Sequence, residues 1–112
     1  MNGNRPERGT IAHDRESDDA QVVVLKRHDA TAAEKYVSAI DKTVAEANPG
    51  YPDDDTVLDI AFVEAVEAAL DVEWEIEDLL KLHEEGQLDR ARVKMYAYPE
   101  SRLTRSGAGG VR

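Results

Sequence analysis

Thr56 to Leu70, TVLDIAFVEAVEAAL, restricts this chain most, because no other segment is apolar enough to be surrounded by the rest of a small protein. At about 100° per residue, Val57, Leu58, Ala61, Phe62, Val63, Ala65, Val66, Ala68, Ala69 and Leu70 cover an arc wider than an ordinary amphipathic stripe. Glu64, Glu67 and Asp71 keep one narrow wet edge. Thr56 with Asp59 matches a capping box, and Asp53, Asp54 and Asp55 stand where the positive end of a helix dipole would lie. The pattern predicts a central buried helix over 56–70.

Other elements are then expected around that helix. Val22 to Leu25 is a short β-branched run that suits a buried strand, and His28-Asp29 opens a turn. Thr31 and Glu34 form a second capping box, and Ala33, Tyr36, Val37, Ile40, Val44 and Ala47 share one helical face, so 32–47 reads as a surface helix ended by Asn48-Pro49-Gly50. After Leu70 a turn, with Asp71 as a cap, leads to an acidic helix through Ile76, Leu79, Leu80 and His83 that stops at Gly86, a natural left-handed residue. Trp74 then lies opposite Ile76 and stays partly exposed. From Arg90 the period is two, with Ala91, Val93, Met95 and Ala97 on one face and Arg90, Arg92, Lys94, Tyr96 and Tyr98 on the other, until Pro99 stops the strand. The expected fold is α+β in the order strand-helix-helix-helix-strand, as one domain over 21–103. A disordered arm (1–20) and a flexible tail (104–112) flank it. Two strands make a weak sheet, and a partner subunit supplying more would relieve that weakness.

Composition narrows the function classes. The chain has no cysteine, hence no disulfide, thiolate zinc site or cysteine nucleophile. No apolar run is long enough to cross a bilayer, and the first twenty residues lack the core of a secretory signal, so a cytoplasmic protein is expected. Net charge is −10, with five lysines against nine arginines and twelve each of Asp and Glu. This composition resembles that of small acidic haloarchaeal proteins, in which carboxylates hold water and cations and strong salt screens their repulsion. The likeness lies in composition alone and carries over no site.

No residue set nominates itself for catalysis. Asp53 to Asp55 lacks the glycine and distal glutamate of an EF-hand and reads as a solvated cluster. His13, His28 and His83 have no metal-ligand spacing, the serines lie outside any nucleophile elbow, and no glycine loop cradles phosphate. No catalytic residue, cofactor or metal is therefore expected.

Charge is uneven, however. Residues 89–112 carry six basic side chains against Asp89 and Glu100, a net of +4 in a chain at −10. Arg90, Arg92, Lys94, Tyr96 and Tyr98, with Trp74, form the expected interaction surface, since bases beside tyrosines suit phosphate contact and base stacking. Glu75-Ile-Glu-Asp-Leu-Leu-Lys-Leu-His-Glu-Glu-Gly followed by Leu88 and a strand resembles the second helix and wing of winged-helix domains. That resemblance implies a protein-contact version of the fold, because an acidic helix offers no donors to bases. The sequence thus points to a non-catalytic protein-interaction module that forms a homodimer. Its alternative is a winged-helix-like nucleic-acid-binding or regulatory protein.

Overall fold

A computed structural model describes residues 7–70 and 73–105 of the chain. The unbroken β-branched run Val22–Leu25 lies in a long strand, β2 (Ala20–Thr31), which pairs antiparallel with β1 (Ile11–Asp14). Asp18 and Asp19 turn the chain between them with positive φ, a conformation that Asp tolerates better than most residues. The other edge of β2 pairs with β5 (Thr56–Phe62), which pairs in turn with β6 (Tyr96–Pro99). The last strand, β7 (Leu103–Arg105), returns to β1, giving the antiparallel order β6-β5-β2-β1-β7.

A single 3-10 turn, Glu100–Arg102, joins the two outer strands of this sheet. In a flat sheet those strands would stand roughly 19 Å apart. The link from Pro99 to Leu103 spans at most about 14 Å even when fully extended. The sheet must therefore curl, and it forms a half-closed barrel. Ala12, Val22, Val24, Leu58, Ile60 and Leu103 fill its inner face. Val23, Leu25 and Ala61 point outward beneath α2 (Val63–Leu70), α3 (Ile76–Glu84) and α4 (Gln87–Arg90), which contribute Val66, Leu79 and Leu88. A bulge after Val24 shifts the register of β2 against β5.

Between β2 and β5 the chain makes a separate hairpin, β3 (Tyr36–Val37) with β4 (Lys42–Thr43), followed by one helical turn, α1 (Val44–Ala47). Ala32, Val44 and Val57 are buried together at its root. Among the described residues no helix is long and apolar enough to cross a membrane.

The α+β class holds, while the expected element order does not. Thr56–Phe62 is a strand buried on both faces, with Leu58 and Ile60 inward and Val57 and Ala61 outward, and only Val63–Leu70 is helical. A strand covered on both sides reads as a continuous apolar run, as a buried helix does, and so the two were confounded. The two-stranded sheet expected to need a partner is a five-stranded one within the chain. Its extra strands come partly from the expected arm and tail, since Ile11–Asp14 and Leu103–Arg105 are in ladders; 1–6 and 106–112 lie outside the described residues.

The helix expected over 32–47 is replaced by the hairpin. Thr31 does form the first turn of a helix, with its carbonyl accepting from the Glu34 and Lys35 N–H groups and its N–H donating to Glu34 Oε1. Tyr36, Val37 and Ile40 propagate a helix poorly, and the Val44 N–H closes the hairpin instead on the Lys35 carbonyl. The acidic loop before Thr56 precedes a strand, and its Asp53 and Asp55 carbonyls accept the Ala33 and Ala32 N–H groups. His28 lies within β2 rather than in a turn, its Nε2 2.9 Å from Asp59 Oδ1. Ile76–Glu84 is a helix and Gly86 has φ 75, as expected, and Glu73–Glu75 is irregular; the Asp71 cap lies outside the described residues.

Candidate interaction surfaces

The two tyrosines of the expected surface fall on β6 opposite Ile60 and Leu58, so both side chains turn toward the inner face of the curled sheet. There they form a row. The Phe62 ring meets Tyr96 edge-on with centroids 5.6 Å apart, Tyr96 stacks on Tyr98 at 5.7 Å, and the Arg102 guanidinium lies 3.7 Å above the Tyr98 ring. Arg102 Nε and Nη2 grip both oxygens of Asp14, at 2.8 and 3.1 Å, and Nη1 donates to Asn48 Oδ1 at 2.8 Å.

Asp14 is fully buried, at 0% exposure. It also accepts the Glu16 N–H and the Ser17 hydroxyl. Burial alone would raise its pKa, but the Arg102 and Ser17 hydrogen bonds, the Glu16 N–H and the Arg102 charge outweigh it and hold the carboxyl below its ordinary value. Burial likewise opposes the charge on Arg102, and Asp14 raises its pKa despite that. Tyr98 is pushed up chiefly by burial. At the mouth of this site Tyr51 donates its hydroxyl to Glu16 at 2.6 Å, and that carboxylate raises the phenol's pKa. A shallow cavity of about 440 Å³ lies there between Glu16, Asn48, Tyr51 and Arg102. Every nitrogen of the guanidinium is engaged, so the cluster acts as a strut that ties β1 to the 3-10 turn and the turn to α1.

The basic side chains expected beside the tyrosines are elsewhere. Arg90 ends α4, Arg92 follows it with φ 66, and Lys94 lies in the link to β6. The Arg92 N–H reaches the Asp89 carbonyl and the Val93 N–H the Leu88 carbonyl, the paired bonds of a Schellman helix end. The period of two over 90–95 was thus a helix end followed by extended chain. All three bases are exposed, on the helical side of the sheet, and the tyrosines face the opposite side. Trp74 is partly buried against the outer cluster.

Two further surfaces emerge from the fold. The β3–β4 hairpin exposes Tyr36 (52%) and Ile40 (50%), both of which the helical reading had placed on a buried stripe. Its tip is fixed by N–H bonds from Ile40 and Asp41 to the Val37 and Ser38 carbonyls, with Asp41 at φ 56 and the Tyr36 hydroxyl on the Asp41 carboxylate. Where β5 passes into α2, a cleft of about 480 Å³ opens between Ala20, Phe62, Val63 and Ala65, rimmed by Glu64 and Glu67. No signal in the sequence marked Asp14 or the hairpin. Arg102 could be counted there only as charge.

The winged-helix likeness does not extend to this architecture, because the segment that would supply its preceding helix begins as β5, an interior strand of the five-stranded sheet. No protein-family model, no curated protein and no solved structure matches this chain.

Proposed function

We propose that this chain is a small, non-catalytic protein-interaction module of a salt-rich cytoplasm, working as a homodimer. The observation that carries the reading is the hairpin Tyr36–Thr43. A tyrosine and an isoleucine stand about half exposed on a hairpin whose turn is held by the Ile40 and Asp41 N–H bonds and whose root is packed. Large apolar side chains held rigidly in water suit a contact surface, since ordering them for a partner loses little further entropy. Light scattering with circular dichroism across a KCl series tests this reading. A folded dimer is expected at high salt and unfolding in dilute buffer, whereas a folded strict monomer would sink it.

The nucleic-acid alternative rests on the exposed Arg90, Arg92 and Lys94. It is less favoured because the Tyr98 ring, needed for stacking, is already covered by Arg102 and Tyr96. An Arg92→Ala, Lys94→Ala double variant is expected to match the parent chain in binding a mixed oligonucleotide pool at high KCl; a clear loss would favour the alternative.

A further inference from the structure

Each residue of the 3-10 turn Glu100–Arg102 is tied to a different part of the fold, and each tie has a carboxylate acceptor. The Glu100 carboxylate accepts from Arg27 of β2 at 3.0 Å, the Ser101 N–H donates to Asp55 Oδ2 at 2.9 Å, and Arg102 holds Asp14 of β1. Apart from these ties, the run Tyr96–Arg105 meets the sheet through one ladder at β6 and one at β7, both at outer edges. It can therefore leave without breaking the β1-β2 and β2-β5 ladders. Val93 anchors the chain just before it in the outer cluster. Within the run, Tyr98 and Leu103 cover the inner-face cluster around Val24, Leu58 and Ile60.

We infer that this turn is an acid-released clasp: protonation of the carboxylates that hold it frees Tyr96–Arg105 and uncovers the inner apolar face, while the helix-covered outer core stays folded. A protonated carboxyl is a weaker acceptor than a carboxylate and no longer pairs with a guanidinium charge. Asp14 matters most, because it is fully buried and its neutral form leaves Arg102 without a counter-ion. The other ionisable groups facing the clasp are Arg27, Tyr98 beneath Arg102, and Arg15, Glu16 and Tyr51 at the mouth, where Glu16 adds a further carboxylate. His13 alternates with the buried Ala12 and Asp14, and His28 stands against Asp59, which alternates with the inward Leu58 and Ile60. Both histidines thus belong to the opposite face of the sheet. The outer core is apolar packing of Val23, Leu25, Val66 and Leu79, which acid leaves unchanged. An edge unit held by few ladders opens locally ahead of such a core.

Amide hydrogen exchange of the full-length chain, over a descending pH series at high KCl, tests the clasp. Anilinonaphthalene sulfonate serves as the probe of uncovered apolar surface, and Trp74, the single tryptophan, reports on the outer cluster. Below pH 3.8, protection over Tyr96–Arg105 is expected to fall about tenfold or more and the dye to bind, since Asp14 in the folded chain is protonated only under that value. Val22–Leu25 amides and Trp74 emission are expected to keep their neutral-pH behaviour over the same interval. Glu100→Gln, which keeps the size of the side chain and removes its charge, is expected to loosen Tyr96–Arg105 about tenfold at neutral pH and to move its opening to higher pH. Protection lost over Tyr96–Arg105 and Val22–Leu25 together, at any pH, would make acid unfolding global and overturn the inference. A Glu100→Gln variant whose Tyr96–Arg105 segment exchanges like that of the parent chain would overturn it as well.

Discussion

At the scale of single residues, the Asp14–Arg102 pair holds the fold's two ends together. The two residues are 88 positions apart, and one lies on β1 while the other closes the link between the outer strands. Removing one partner of a buried pair leaves the other charge uncompensated, so Arg102→Ala is expected to lower stability by about 3–5 kcal/mol in urea unfolding. Arg102→Lys is expected to recover only part of this, because an ammonium cannot match both carboxylate oxygens at once. Acid should reveal the same pair. The folded Asp14 carboxyl ionises below its ordinary 3.8, so its contribution is full above that pH and is lost as pH falls through the lower, folded value. Asp14→Asn should therefore flatten the fall of stability with pH below 3.8 relative to the parent chain. An unchanged acid limb would mean that other carboxylates govern acid unfolding.

At the scale of elements, the turn at Arg92 gives a clean distinction between strand and helix end. A non-glycine residue at φ 66 is strained, and glycine is the residue favoured at that position of a Schellman motif. Arg92→Gly is expected to raise stability by about 0.5–1 kcal/mol, read from the denaturation midpoint. In the strand that the period-two pattern predicts, the same change would destabilise. This contrast also explains what was legible. Val22–Leu25 and Ile76–Gly86 were readable because each has its own local signal, a β-branched run and a capped, one-striped helix. Thr56–Phe62 was not, because burial on both faces erases the alternation that marks a strand. Ile11–Asp14 and Leu103–Arg105 are too short to show a period, and only pairing across the sheet makes them strands. The Asp14–Arg102 pair depends on residues brought together by the fold and leaves no trace in local spacing.

At the scale of the whole molecule, a chain of −10 carries its carboxylates on a half-closed barrel whose helices cover one side. Like charges at that density oppose compaction until salt screens them, so the thermal midpoint is expected to climb steadily with KCl. A midpoint independent of KCl would remove the salt-adapted reading. Self-association adds to the same balance, because a partner bound only to the folded form stabilises it by mass action. The hairpin is where the two ideas meet, since its exposed Tyr36 and Ile40 are the surface on which the homodimer reading rests. Amide hydrogen exchange over Tyr36–Thr43, followed as a function of protein concentration at fixed high KCl, tests its role most directly. The account predicts that these amides exchange more slowly at high concentration than on dilution, while those of Val22–Leu25 in the core change far less. Hairpin exchange that is the same at every concentration would contradict it.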